Sequence, residues 1–162
     1  MVLVPIVADK VKIPVVAAGG IADSRGFAAA LALGADGIQM GTRFIATKEC
    51  GVPENIKQVL LRSGPEDTVV TGNITGLPVR VIRNKLAEEM LKMESGKRPI
   101  EEMIKFGSGK MQQAFVRGDE VLGSIMAGQI TGMINDIPTV RELMERMVAG
   151  LPETVEKVRT KL

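Results

Sequence analysis

Between Val15 and Thr42 the chain passes through a strand, a glycine pair, a helix, a second strand and a second glycine turn, and that order leaves few folds open. Val15-Val16-Ala17-Ala18 is apolar on both faces, which predicts a short buried strand, and Gly19-Gly20 breaks it. Asp23 or Ser24 can cap a small-residue helix running to Leu33, with Gly34 suited to its C-terminal cap. Gly37-Ile38-Gln39-Met40 reads as the second strand, stopped by Gly41-Thr42. Two strands joined through a helix are parallel, with a right-handed crossover. The stretch therefore predicts an α/β layer or barrel. Ahead of it, Leu3, Ile6, Val7 and Val11 follow helical spacing, and Pro14 ends that helix.

The remainder is less regular. Pro53 to Arg62 reads as a helix, and Thr68–Thr71 and Val79–Ile82 as β-branched extended segments separated by Gly72, Gly76 and Pro78. Asn84 can cap a helix through Met93, and Pro99 can open another that ends near Gly107. Mixed charges from Glu88 to Lys105 suit solvated helix faces. Thr139 and Glu142 form a capping box ahead of the clearest helix, with Val140, Leu143, Met144, Met147, Val148 and Leu151 on its apolar stripe. With 10 methionines against 4 phenylalanines and no Trp or Tyr, methionine is expected to fill the core in place of aromatics.

Composition narrows the chemistry. The chain has no histidine, so it lacks both the usual general base near neutral pH and the commonest metal ligand. Its single cysteine, Cys50, permits no internal disulfide or thiolate metal cluster; it reads as an inert thiol in a reducing, cytoplasmic setting. No metal site is expected. A formal net charge of +2, spread evenly and without stacking aromatics, argues against nucleic acid as a partner. The opening apolar run, broken by Pro5, is too short for a membrane span.

Ligands of α/β proteins bind at the carboxyl ends of parallel strands. Gly19-Gly20 occupies one such end and Gly41-Thr42 the next. Singly, each pair reads as a tight turn. Together they favour a phosphorylated ligand, because glycine lets a phosphate approach backbone amides. The phosphate site of (β/α)₈ barrels commonly follows the seventh and eighth strands, an arrangement these turns match. Thr42 adds a hydroxyl and Arg43 a nearby positive charge.

The runs Ile13-Pro14-Val15-Val16-Ala17-Ala18-Gly19-Gly20-Ile21-Ala22-Asp23 and Gly34-Ala35-Asp36-Gly37-Ile38-Gln39-Met40-Gly41-Thr42-Arg43-Phe44 resemble the nitronate monooxygenase family, which includes the type II enoyl-[acyl-carrier-protein] reductases. Pro78-Val79-Arg80, Asn84-Lys85 and Gly123-Ser124-Ile125-Met126-Ala127-Gly128-Gln129 extend the resemblance over nearly the whole chain, the last leaning towards the reductase branch. The resemblance implies an FMN-dependent oxidoreductase that oxidises nitronates with oxygen or reduces an enoyl thioester with NAD(P)H. It implies a partial (β/α)₈ TIM barrel plus a helical C-terminal segment: residues 1–50 as the last βα units, 51–110 as an added, mostly helical segment, and 111–162 returning to the flavin. Gly19 and Gly20 would then meet the FMN phosphate from one turn, and Gln39, Met40, Gly41 and Thr42 from the next. Gln129 would be the polar contact near the flavin ring, although an ordinary surface amide suits it equally. The family's histidine base has no counterpart here, so no catalytic residue is assigned.

A complete barrel takes roughly 200 residues or more. With two barrel strands visible, the chain is expected to be the C-terminal half of a longer flavoenzyme, paired with a missing N-terminal half or with copies of itself, and with an exposed edge on its first strand. Two other readings stay open: another phosphate-binding barrel such as the inosine monophosphate dehydrogenase group, and a non-catalytic partial protein.

Overall fold

A computed structural model describes residues 2–162. In chain order the elements are α1 (Leu3–Lys10), β1 (Val16–Ala18), α2 (Ser24–Ala32), β2 (Gly37–Gln39), α3 (Thr42–Ile45), α4 (Glu54–Arg62), β3 (Thr68–Thr71), β4 (Val79–Ile82), α5 (Lys85–Ser95), α6 (Ile100–Gly107), α7 (Lys110–Phe115) and α8 (Val140–Arg159). Short 3-10 turns lie at Pro65–Asp67 and Gln129–Met133. The class is α/β, as expected. No helix among the described residues is long and apolar enough to cross a membrane.

The chain forms two compact units, residues 1–49 with 138–162 and residues 50–137. Residues 111–137 thus group with the middle segment, and the closing helix groups with the opening βα units.

In the first unit, β1 and β2 pair in parallel, with Ala17 opposite Ile38 and Ala18 opposite Gln39. Asp36 fixes this register: its carboxylate accepts from the Val15 amide at 2.8 Å, and its own amide donates to the Val15 carbonyl at 2.7 Å. Ala17, Ile21, Ala30, Ala35, Leu143 and Met147 form the core, with Ile38, Met40 and Phe44 packed against it. Helices α2 and α8 approach closely because Gly150 carries no side chain; a Cβ there would lie 2.5 Å from Ser24 Oγ. The Thr139–Glu142 capping box forms as expected at the start of α8.

Two expectations about burial fail. Strand β1 is covered on one face only: Ala17 is buried while Val16 is 57% exposed, because the core lies on the Ala17–Ile38 side of the two-stranded sheet. The methionines do not fill the core as a class either. Met103 and Met147 are buried, whereas Met111, Met133 and Met144 are exposed, because alanine and the branched aliphatic residues Ile, Leu and Val already occupy most interior positions.

In the second unit β3 and β4 pair antiparallel, Thr68 with Ile82 through Thr71 with Val79. The segment around Met126 adds to this sheet: Met126 bridges Val81, the Ile82 amide donates to the Ile125 carbonyl at 2.9 Å, and the Ala127 amide to the Arg80 carbonyl at 3.2 Å. The small-residue run therefore behaves as a sheet edge. Asn84 organises the surrounding loops. Its Oδ1 caps α5 by accepting from the Ala87 amide at 3.0 Å, and its Nδ2 donates to the carbonyls of Glu120 and Gly123, both at 2.8 Å. Helix α7 had no sequence signal; it is two turns long and starts from Gly109 in the left-handed region at φ +73°.

Asn84→Ala removes a cap and two donors at once. Urea denaturation is expected to show a loss of about 2–3 kcal/mol, against about 1 kcal/mol for a cap alone. Asn84→Asp keeps the acceptor and loses only the donors, so it is expected to fall between Asn84→Ala and the native chain.

Candidate functional site

The parallel register places the ends of β1 and β2 side by side, because Ala18 lies opposite Gln39. The turns that follow, Gly19-Gly20 and Met40-Gly41, therefore open at the same end of the sheet. Gly19 and Gly20 have φ of +109° and +72°, conformations in which a side chain costs strain. Gly41 is different. Its φ of −102° is open to any residue, so local backbone geometry does not require glycine there.

An added Cβ would meet nothing within 4 Å at Gly19, Gly20 or Gly41. These three positions line open space at one end of the sheet. The amides of Gly20, Ile21 and Gly41 donate to no protein acceptor among the described residues, which leaves three N–H groups for an anion. The first turn of α2, in contrast, is already taken. Asp23 caps it, accepting from the Arg25 amide at 3.0 Å and the Gly26 amide at 3.3 Å, while the Arg25 guanidinium holds the other carboxylate oxygen at 2.8 Å. Burial pushes the Asp23 carboxyl up, but the Arg25 side chain and the two amides outweigh it and hold it below the usual carboxylate range.

The remaining sequence-derived candidates divide by environment. Gln39 is exposed on the sheet face opposite Ala17 and Ile38, next to Ala18. Met40 packs its side chain on the core, so only its backbone faces the turn. Thr42 is half-buried at the first position of α3. Arg43 is 4% exposed and engaged in contacts, so it is a buried charge rather than an open one. Gln129 belongs to the second unit, exposed at the start of a 3-10 turn that follows Gly128. No group of three or more His, Cys, Asp or Glu side chains among the described residues could hold a metal.

Sequence comparison decides what this scaffold is. The nitronate monooxygenase family model matches residues 1–150. The chain belongs to the nitronate monooxygenase family. Its fold is similar to that of FabK from Thermotoga maritima, with a TM-score of 0.95 and 43% identity over 99% of this chain and 51% of that one. A probable nitronate monooxygenase of Staphylococcus haemolyticus is 35% identical over 98% of this chain and 44% of its own length. A (3aS,4S,5R,7aS)-5-hydroxy-7a-methyl-1-oxo-octahydro-1H-indene-4-carboxyl-CoA dehydrogenase of Rhodococcus jostii is 34% identical over 95% of this chain and 54% of its own. The chain spans about half the length of these curated relatives.

Within this chain, two features of the turn region have no local sequence signature. Asp36 reads as part of an ordinary Ala-Asp-Gly turn, yet it sets the register that aligns the two glycine turns. Asp23 reads as a helix cap, and only its contacts show that it withdraws two α2 amides from ligand binding. The backbone distinction between the glycines gives a direct check by thermal or urea denaturation. Gly20→Ala is expected to cost about 1–2 kcal/mol through left-handed strain, and Gly41→Ala to stay within about 0.5 kcal/mol.

Proposed function

We propose that this chain supplies the phosphate grip of an FMN-dependent oxidoreductase of the nitronate monooxygenase and enoyl-ACP reductase II type. The observation that carries this reading is the pair of adjacent strand-end turns, with open Cβ positions at Gly19, Gly20 and Gly41 and undonated amides at Gly20, Ile21 and Gly41. On this reading β1 and β2 are consecutive strands of a (β/α)₈ barrel, whose phosphate site lies at the ends of its last strands.

The FMN phosphate would take the amides of Gly20 and Ile21 from one turn and that of Gly41 from the other, with the Thr42 hydroxyl beside them. Backbone donors suit a dianion because they are fixed in place by the sheet and need no side chain to be ordered. The Asp23 carboxylate, tied to Arg25 and the α2 amides, keeps its charge compensated close to this site. Gln39 would present its amide on the open face of β2. When bound, the flavin supplies the redox chemistry, exchanging a hydride or electrons with a nitronate or with NAD(P)H and an enoyl thioester. No residue of this chain is assigned the proton-transfer step.

The partner we propose is a second copy or a preceding segment of a longer flavoenzyme. The 57% exposure of Val16 on a barrel-type strand supports that reading. The setting we propose is the cytoplasm, in keeping with the single free cysteine.

The test is the visible spectrum of the purified chain after incubation with FMN and gel filtration, with the released cofactor identified. Flavin bands are expected to travel with the native protein. Gly41→Val is expected to fold normally and lose FMN affinity by about tenfold or more, because its side chain fills the space at the turn without straining the backbone. A folded native chain that takes up no FMN, or a Gly41→Val chain that keeps full affinity, overturns the assignment. Oxygen consumption with nitronates and NAD(P)H oxidation with enoyl thioesters then separate the two branches.

A further inference from the structure

The two turns of the phosphate grip are joined by a pair of three-residue strands, and a pair that short is marginal in water on its own. The connections behind both turns lead to one helix, α8. Behind Gly41, the Phe44 and Ile45 amides donate back to the Gly41 carbonyl at 3.0 and 3.3 Å. Ala46 and Thr47 are buried, and the Thr47 hydroxyl donates to the Phe44 carbonyl at 2.7 Å. The chain then meets the start of α8. The Lys48 amide donates to the Pro138 carbonyl at 2.9 Å, and both Glu49 carboxylate oxygens accept from the Val140 amide at 2.9 Å.

The other turn reaches the same helix. Ser24 opens α2 directly behind the Asp23 cap. Thr154 donates its hydroxyl hydrogen to the Gly150 carbonyl at 2.8 Å, so Ser24 is the donor in the 3.3 Å contact between the two hydroxyls. Beside that contact the bare Gly150 backbone lets α8 rest on Ser24. From Val140 to Thr154 the helix covers roughly 20 Å at about 1.5 Å per residue. One rigid element therefore reaches both attachments. A carboxylate on the first amide of a helix is favoured twice, by the otherwise unused donor and by the helix dipole. Glu49 stands outside the Thr139–Glu142 box and comes from 91 residues earlier in the chain, so its bond joins two segments instead of only closing a helix end.

We propose that Glu49 is a positioning residue of the phosphate grip. Its carboxylate ties the segment behind Gly41 to α8, and α8 holds the segment behind Gly20 through Ser24. The two turns then keep the spacing that a single phosphate dianion needs. The proposal rests on the flavin reading, but the brace is also measurable in the ligand-free chain.

The experiment compares the native chain with Glu49→Ala, Glu49→Gln and Glu142→Ala, by amide spectra of the ¹⁵N-labelled, ligand-free protein and by FMN affinity. Glu142→Ala removes a cap from the same end of α8 and leaves the Glu49–Val140 bond in place, so it shows what loss of a cap alone does. Glu49→Ala is expected to shift the ligand-free amides of Gly41, Gly20 and Ile21 together and to weaken FMN about fivefold or more. Glu49→Gln keeps an acceptor oxygen for the Val140 amide and is expected to retain most of the affinity. Glu142→Ala is expected to unfold at lower urea while the turn amides and FMN affinity stay native. Gly150→Ala drives a methyl group against Ser24 and is expected to move Gly20 and Ile21 from the other end of the brace. Turn amides that stay native in ligand-free Glu49→Ala overturn the inference, whether or not FMN binds. So does an equal loss of FMN affinity in Glu49→Ala and Glu142→Ala. A native chain that takes up no FMN overturns the flavin reading, and the ligand-free shifts still decide the brace.

Discussion

The parallel pairing of β1 with β2 is the constraint on which the flavin reading depends. Each strand is only three residues long. A slip of one residue would move one glycine turn along the sheet and turn its side chains to the opposite face. The register is held where β2 begins, by the double contact between Asp36 and Val15. With Ala18 fixed opposite Gln39, the two turns open at the same end of the sheet. A site built this way would use backbone donors, so it would need no histidine.

Charge placement supports the same reading. An anion near the start of α2 would compete with Asp23, which already occupies the first-turn amides. The amides left over belong to the preceding turn and to the residue before α3. On the flavin reading, the phosphate would therefore sit between the two turns, where three glycines leave open space, rather than at the helix end. The second unit follows a different logic. There Asn84 ties three loop and helix positions together.

Much of this was legible in the sequence, for reasons specific to each element. The β1–α2–β2 order followed from apolar runs ended by glycine, and the α2, α5 and α8 starts from Asp23 or Ser24, Asn84 and the Thr139–Glu142 box, because caps and turns are local signals; of the first pair, Asp23 is the cap. The paired segments Thr68–Thr71 and Val79–Ile82 stand out through β-branching, and they pair as an antiparallel ladder. Burial was less legible. Val15–Ala18 is apolar throughout, yet only one face of β1 is covered, because coverage depends on what packs above a strand rather than on its own residues. Methionine placement misled for a related reason: Met144 sits on the apolar stripe of α8 but is 43% exposed. The sheet contact made by Met126 and the clamp made by Asp36 depend on tertiary pairing and have no local signature. Of the glycines at the candidate site, sequence alone could not separate Gly20, which the backbone requires, from Gly41, which it does not.

The most direct test of the phosphate grip is amide chemical-shift mapping of the ¹⁵N-labelled chain titrated with FMN, and with inorganic phosphate as the minimal probe. The account gives a specific pattern: the amides of Gly20, Ile21 and Gly41 shift together and saturate at one concentration, while those of Arg25 and Gly26, already held by Asp23, change little. Shifts confined to other regions, or a Gly41 amide that stays still while Gly20 moves, would contradict it.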